Sequence, residues 1–470
     1  MSKNKFYITT SIAYTNAFPH IGFALELIQA DVMARYQRLS AKDVFFLTGT
    51  DEHGQKIVKA AEKVGKSPED FCGEISAQFK KLKDVLNLSN DDFIRTADQE
   101  RHWPVVRKVW LKLKENGDIY QKKYQGLYCV GCEAFITKKD LIEGKCRIHQ
   151  KEPEEIEEEN YFFKLSKYAK EIEEKIERDE IKIVPAERKN EILSFVRQGL
   201  EDVSFSRPRK DLKWGIPVPD DDSQTVYVWA DALVNYLSAL GYPGGERFKN
   251  YWPPDIQFIG KDILRFHAVI WLGMLLSLKL ALPKTILVHG YLTVGGQKMS
   301  KSLGNVVDPF ELVKKYGIDP VRYFLLREIP STDDGDFTYE KFEQRYNSDL
   351  AKGLGNLAAR VLTLAENIEP KKEKFEKEVE KVKNILKESL GKSNFNEALV
   401  SIWRLIGSCD KYIEKERPWE AKESQKQVIG NLLFVLNEIA ELLKPFLPET
   451  SEKIIRQIKT QKSEPLFPRI

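Results

Sequence analysis

Cysteine is scarce in this chain: five residues in 470, three of them clustered between Cys129 and Cys146. That number and spacing exclude a disulfide scaffold. Long apolar runs are missing too. The most hydrophobic stretch, AVIWLGMLLSL from Ala268 to Leu278, is broken by Lys279. It is too short to span a bilayer and predicts a buried helix. The first residues, MSKNKFYITTSIAYTNAF, hold neither the apolar core nor the small-residue cleavage site of a secretory leader. A cytoplasmic protein with no membrane association is the expectation. Charge of one sign is also lacking, since 74 Lys/Arg stand against 71 Asp/Glu. The small surplus sits late in the chain, with 20 Lys/Arg against 16 Asp/Glu from Lys371 onward. That is compatible with touching RNA and is weak evidence for it. No internal repeat or low-complexity tract is visible.

What is present is an ordinary globular composition, 42% hydrophobic and 31% charged, in a chain long enough for about two to four domains. From Phe6 to about Ser89 strand-like runs alternate with helical patterns: FYITTSI, a helix, VFFLTGT, a helix. Such alternation predicts a parallel α/β sheet with crossover helices. A less regular segment follows, with the cysteines at its centre and an acidic run, EPEEIEEE (Glu152 to Glu159), that reads as solvated surface. The α/β signal returns in TVYVWADAL, DIQFIG and TILVHGYLTV. From about Tyr339 the pattern is helical, and KKEKFEKEVEKVKNILKESL fits an exposed helix with i,i+4 pairing.

Two loops carry phosphate chemistry. In YTNAFPHIGFALE (Tyr14 to Glu26), His20 and Gly22 fall on a turn from a strand into a helix N-terminus, where N–H groups and the helix dipole favour anions. Phe23, at the end of HIGF, cannot donate to a phosphate. In GGQKMSKSLGN (Gly295 to Asn305), Lys298 and Lys301 stand three apart, with Ser300 and Ser302 supplying hydroxyls. A lone KxxK reads as a basic surface loop; the full string after an apolar strand, with a histidine turn upstream, points to a polyphosphate. A third constellation is CVGC followed by CRIH. Cys129, Cys132, Cys146 and His149 offer three thiolates and an imidazole, a closed tetrahedral set suited to one structural Zn²⁺. Cys72 and Cys409 read as core residues.

The HIG turn and the KMSKS loop together resemble the signature pair of class I aminoacyl-tRNA synthetases. YTNAFPHIGFALE, FLTGTDEHGQKI, YVWADALVNYLSALGYP, FIGKDILRFHAVIW, VHGYLTVGGQKMSKSLGNVVDP and ERPW follow the order and spacing of the methionyl-tRNA synthetase family, from Phe6 to Pro468. The resemblance implies a Rossmann-type parallel sheet split by a connective insertion with a zinc knuckle, then an all-α helical-bundle anticodon-binding domain. The corresponding boundaries are 1–115 and 221–300 for the two Rossmann halves, 116–220 for the insertion, 301–345 for the KMSKS loop and stem-contact segment, and 346–470 for the bundle.

The implied chemistry needs no protein nucleophile. The methionine carboxylate attacks the α-phosphorus of ATP, and the methionyl group then passes to the 3′ adenosine of tRNA(Met), first at the 2′-hydroxyl. Positioning and charge neutralisation are what the protein must supply. By resemblance, His20, Lys298 and Lys301 are the catalytic residues. ATP, accompanied by Mg²⁺, is held by Tyr14, His20, Gly22, Phe23, Glu26, Gly260, Asp262, Lys298, Ser300 and Lys301. Phe23 departs from the family pattern, which has a second histidine there, and is read as a tolerated variant. The methionine pocket falls on Ile12, Tyr14, Asp51 (for the ammonium), Trp229, Ala232, Leu233, Tyr236, Ile263 and His267. Ala13 and Leu233 stand where proline is frequent, which implies small changes of pocket shape. Asn356 and Arg360, one turn apart, and Trp419 correspond to readers of the anticodon.

Valine, isoleucine and leucine enzymes of the class carry a large editing domain, for which the interval from His20 to Lys298, under 300 residues, has no room. A non-catalytic RNA-binding paralogue has only Phe23 in its favour. The C-terminal tRNA-binding and dimerisation module of longer relatives does not follow LFPRI, so a monomer is expected, with a separately encoded tRNA-binding partner as the alternative.

Overall fold

The structure is a computed structural model that describes residues 4–131, 134–136, 141–147, 150–299, 304–420 and 425–470, with the backbone alone at 124, 134 and 135. Four residues expected as ligands, Cys132, His149, Ser300 and Lys301, lie outside the described residues. The chain forms two compact units, each discontinuous in sequence. One holds the residues up to Pro19, Ala41–Lys81 and Asn90–Val288; the other holds His20–Ser40, Leu82–Ser89 and His289–Ile470.

A mainly parallel sheet organises the first unit. Its strands are β1 (Lys5–Thr10), β2 (Ala13–Tyr14), β3 (Asp43–Asp51), β4 (Asp92–Arg95), β5 (Lys182–Val184), β6 (Ile256–Gly260) and β7 (Thr285–His289), in the order β5–β7–β6–β1–β3–β2, with β4 also on β3. Every register given for this sheet is parallel. Burial on both faces explains why β3, DVFFLTGTD, is apolar without alternation: eight of its nine residues are buried. Gly49 is there because a Cβ would lie 2.1 Å from the Ile94 carbonyl oxygen of β4. The chain leaves β1 toward β3 on one side and reaches β6 and β7 on the other, so the order reverses beside β1. A ligand crevice forms at the carboxyl ends of strands at such a reversal.

The cysteine-bearing segment is a separate antiparallel ladder, with Ile119–Cys129 paired along its length to Glu154–Phe163. The acidic run is therefore a strand and is not uniformly solvated. Its alternation turns Glu158 inward, where it is buried and pairs with Arg207 at 3.0 Å. Two other segments also differ from their linear reading. Lys182–Val184, within the expected insertion, joins the edge of the main sheet. The strand part of TVYVWADAL belongs to a small antiparallel sheet of Ser206–Pro208, Pro217–Val218 and Asp221–Val226. Phe266–Trp271 and Leu272–Ser277 form the buried helical stretch the sequence predicts.

The second unit joins α1 (Ile21–Leu39) to a small sheet of Leu292–Val294, Gln297–Lys298 and Gly335–Phe337 and to a series of helices, among them Ile318–Arg327, Glu376–Gly391, Phe395–Glu416 and Gln425–Leu443. The Lys/Glu-rich helix is exposed on one face only, with a Glu388–Lys392 pair at 2.6 Å, and buries Val379, Val382, Leu386 and Leu390 on the other. At the centre of the unit lies a fully buried ion pair, Arg322 to Asp31 at 2.7 Å. Arg322 also donates to the carbonyls of Phe446 (2.8 Å), Leu86 (3.0 Å) and Pro445 (3.1 Å). Every arm of the guanidinium is thus used, which is what a buried cation requires. Cys72 and Cys409 are buried, as expected of core residues. Among the described residues no helix is long and apolar enough to cross a membrane.

Candidate active site

In the second unit His20 caps α1. Its backbone is extended, and its Nδ1 accepts the Gly22 N–H at 3.1 Å. An accepting Nδ1 carries no proton, so in the neutral ring the proton sits on Nε2. Burial pushes the His20 pKa down to about 4, which keeps the ring in that form at neutral pH. Gly22 is required by this arrangement, since a Cβ would lie 2.9 Å from His20 Cε1. Phe23, the departure from HIGH, packs against the imidazole with ring centroids 4.6 Å apart. It braces the histidine that remains.

The same unit brings the histidine turn to the base of the lysine loop. The Ile21 N–H donates to the Val307 carbonyl at 3.0 Å. Strands Leu292–Val294 and Gln297–Lys298 form a hairpin whose turn, Gly295–Gly296, has φ of 59° and 75°. Two successive positive φ values need residues without a Cβ, and a Gly-Gly turn matches the strand twist. Asp336 fixes that turn, accepting from the Gly296 N–H at 2.7 Å and the Thr293 hydroxyl at 2.8 Å. Lys298 is exposed, with its ammonium 5.3 Å from the Tyr291 ring centroid. Beyond the loop, the Asn305 side chain returns to the Lys298 carbonyl at 3.2 Å. Glu26 is buried and lies 2.7 Å from His289 Nε2, while His289 Nδ1 donates to the Gly290 carbonyl at 2.8 Å. Sequence reasoning assigned Glu26 and missed His289, although VHGYLTV was among the motifs.

The first unit holds the residues expected around methionine, and His267 joins Trp229, Tyr236 and Ile263 among them. Trp229, on the short helix Val228–Ala232, stacks on Phe266 with centroids 3.8 Å apart and planes 4° from parallel. It meets His267 edge-on at 6.3 Å. His267 Nδ1 donates to the Ile263 carbonyl at 3.1 Å, so Nε2 is the acceptor for the Tyr236 hydroxyl at 2.8 Å. Burial holds the His267 pKa near 4, in keeping with that neutral tautomer. Ala232 and Leu233 are buried beside them, and Ile12 and Tyr14 pack against the same core. Asp51 ends β3 and is anchored by Thr15, whose N–H and hydroxyl donate to its carbonyl at 3.0 and 3.1 Å. Gly260 ends β6, and Asp262 is exposed in the turn that follows. Phe266 was not foreseen, because an aromatic in an apolar helix carries no mark of a site.

In the helical tail Asn356 is exposed at the start of Asn356–Thr363. Arg360 lies 5.8 Å from the ring centroid of Trp419 and 3.6 Å from Asp410. Trp419 is 52% exposed, an unusual state for the largest side chain. Arg360, Leu364, Ile413, Pro418, Trp419 and Leu432 line a cavity of about 300 Å³. Of the expected zinc ligands, Cys129 and Cys146 are buried in one small cluster with Ile136.

A parallel sheet whose strand order reverses beside β1, a histidine turn hydrogen-bonded to Val307 just past the lysine loop, and a helical tail with an exposed tryptophan are features of a class I aminoacyl-tRNA synthetase. Comparison with known proteins agrees. A family model for class I tRNA synthetases (M) matches residues 6–146 and 136–362, and one for the anticodon-binding domain of tRNA ligases matches 372–467. The methionine–tRNA ligase of Caldanaerobacter subterraneus is 44% identical over 97% of this chain and 74% of its own length. That of Brucella suis is 44% identical over 97% and 92%. Among solved structures, Mycobacterium tuberculosis methionyl-tRNA synthetase in complex with methionyl-adenylate superposes with a TM-score of 0.91 at 37% identity, covering 96% of this chain and 93% of that one. The chain belongs to the methionine–tRNA ligase family of class I aminoacyl-tRNA synthetases.

Proposed function

We propose that this enzyme activates methionine at the two loops described above and reads tRNA(Met) with its helical tail. A carboxylate oxygen of methionine attacks the α-phosphorus of ATP; the P–O bond to pyrophosphate breaks, and methionyl-adenylate forms. The methionyl group then passes to the 3′ adenosine of initiator or elongator tRNA(Met). His20 Nε2–H is the phosphate donor, and Gly22 lets it sit at the helix N-terminus. Lys298 and Lys301 neutralise the departing pyrophosphate, the Ser300 hydroxyl donates to it, and ATP brings Mg²⁺. Glu26, held by His289, lies beside the nucleotide. Gly260 and Asp262 take the ribose hydroxyls, as an exposed acid after a parallel strand does in nucleotide folds. Asp51 binds the substrate ammonium. Trp229, Tyr236 and His267 present aromatic surface to the thioether, a contact that suits polarizable sulfur.

The observation that carries this reading is the closure of the histidine turn on the lysine loop, through Ile21 and Val307, with His20 already fixed as an Nε2–H donor. Its test is charging of tRNA(Met). Wild-type protein should attach methionine to tRNA bearing a CAU anticodon and much less to a transcript with that anticodon changed. Failure to discriminate contradicts the assignment of the tail.

Asn356, Arg360 and Trp419 are assigned to the anticodon because an exposed indole beside a guanidinium is a surface on which an unpaired base stacks. Trp419→Ala should raise KM for tRNA by roughly 10–100-fold, in line with ~1–3 kcal/mol for one stacked base. Methionine-dependent ATP–pyrophosphate exchange, which needs no tRNA, should stay at the wild-type rate. Parallel charging and exchange assays on the one variant check this.

Cys129, Cys132, Cys146 and His149 are assigned to one structural Zn²⁺. Cys129 and Cys146 share a buried cluster, and two thiolates brought together there are donors that fit the metal. The ion would tie the two ends of the knuckle and takes no part in the reaction. Cys146→Ser should abolish zinc in metal analysis of the purified protein and lower the unfolding temperature of the first unit. Unchanged zinc content in this variant contradicts the assignment.

A further inference from the structure

The first unit contains a buried polar cluster with no part in the roles given above. His53 Nδ1 lies 2.6 Å from Asp231 Oδ2, and His102 Nε2 lies 2.7 Å from Asp231 Oδ1. His102 Nδ1 in turn is 2.8 Å from Ser238 Oγ, whose hydroxyl donates to the Val234 carbonyl at 3.0 Å. That hydroxyl has a single proton, so its oxygen accepts from Nδ1–H. All four side chains are buried, Asp231 and His102 completely. Both carboxylate oxygens of Asp231 are thereby satisfied, as a buried acid requires.

Three of its four members, His53, Asp231 and Ser238, are close in sequence to residues assigned to the methionine pocket. His53 is two residues beyond Asp51. Asp231 stands between Trp229 and Ala232, and Ser238 is two beyond Tyr236 on Asn235–Ser238. The segment holding Asp51 is clamped from its own side of the sheet by Arg95 and Thr96, and Trp214 also donates its indole N–H to the Glu52 carbonyl. Glu52 takes two bonds from Arg95, at 2.7 Å each, and its N–H donates to the Thr96 hydroxyl at 2.8 Å. His53 crosses from this clamped segment to the helix of Trp229. Its Nε2 is buried without a hydrogen-bond partner among the described residues, and its ring meets Trp103 and Trp214 edge-on at 5.9 and 5.4 Å. Hydrogen bonding therefore orients this ring through Asp231 alone.

We propose that Asp231, acting through His53 and His102, is a positioning residue that sets the distance between Asp51 and the aromatic wall of Trp229, Tyr236 and His267, and hence the side-chain length the enzyme accepts. The inference rests on the methionine-pocket assignment above. Asp231 touches no substrate. It ties the end that grips the ammonium to the end that grips the side chain, and only a substrate spanning the two feels its loss.

The test is ATP–pyrophosphate exchange with methionine and with its longer S-ethyl homologue ethionine, on wild type, Asp51→Ala, Asp231→Asn, His53→Leu and His53→Asn, with unfolding temperatures measured alongside. Asparagine keeps an N–H near the position of Nδ1. Loss of the tie should raise KM for methionine ~10–100-fold in Asp231→Asn and His53→Leu, the scale of a small misplacement of a bound group. KM for ATP should change less than about twofold, preference for methionine over ethionine should fall, and His53→Asn should recover most of both. A His53→Leu protein that folds and keeps wild-type KM for methionine, or in which both KM values rise together, overturns the proposal. So does a His53→Asn protein no better than His53→Leu. Should Asp231→Asn fail to fold, the two His53 variants decide. Asp51→Ala separates the levels: an unchanged KM for methionine there removes the pocket assignment itself, whereas a raised one beside a silent His53→Leu removes only the positioning role.

Discussion

His20→Ala lowers the maximal rate of methionine-dependent ATP–pyrophosphate exchange ~10²–10³-fold, the cost of removing one well-placed donor to developing negative charge. KM for methionine stays near wild type. The reason lies in the tautomer. Nδ1 is occupied by the Gly22 N–H, and burial keeps the ring neutral, so the Nε2 proton is fixed in direction before ATP arrives. A donor already aimed costs no reorganisation in the transition state. Gly22→Ala should reproduce part of the defect without removing the histidine, because its methyl would meet the imidazole. Phe23→His should move the rate far less than His20→Ala in either direction: it adds a donor but exchanges the ring that braces His20. Exchange kinetics on the three variants check the set, and a His20→Ala enzyme with full activity refutes the assignment.

The largest loss of stability is expected from Arg322→Leu, about 3–5 kcal/mol, the usual cost of removing one partner of a buried ion pair. The variant leaves the Asp31 carboxylate buried and takes donors away from the carbonyls of Phe446, Leu86 and Pro445. Denaturant unfolding at neutral pH measures the difference. Its pH dependence identifies the cause. Burial pushes the Asp31 carboxyl up, but the Arg322 and Arg35 charges and the Ser89 hydroxyl more than offset this and hold it below the usual range. A depressed folded-state pKa contributes stability above the unfolded value of about 3.9, and that contribution is lost as pH falls through the folded one. Without Arg322 the Arg35 charge and the Ser89 hydroxyl remain, so the carboxyl moves up from its wild-type position and takes a proton before the wild type does as pH falls. The gap between the two is therefore constant at neutral pH and should narrow in acid, as pH falls through the variant's pKa and then the lower wild-type one. A gap unchanged in acid would mean that lost packing, and not the stranded carboxylate, sets the cost.

What was legible in the sequence is what local pattern encodes. FYITTSI and VFFLTGT announce β1 and β3 because both faces are covered, and the HIG turn and GG hairpin announce themselves through residues that only special backbones need. The aromatic wall of Trp229, Tyr236 and His267 came from matched motifs and not from periodicity. Missing were the polar pairs that close over long separations: His289 with Glu26, 263 residues apart; Asp231 with His53, 178 apart; Arg322 with Asp31, 291 apart. No spacing rule reaches that far, since these contacts exist only once the sheet and helices are packed. The acidic run misled for a different reason. Charge alone suggests solvent, whereas strand alternation turns Glu158 inward to Arg207. A linear partition likewise could not foresee that α1 packs in one unit with residues beyond His289.

Methionine-dependent ATP–pyrophosphate exchange shows whether the HIGF turn and the KMSKS loop form a working adenylate site. Wild-type protein with each of the twenty amino acids should exchange strongly with methionine alone, and Lys301→Ala should lose that exchange while still binding tRNA(Met). A wild-type protein that binds tRNA(Met) but exchanges pyrophosphate with no amino acid would contradict a working site and make the chain an RNA-binding relative of the synthetases.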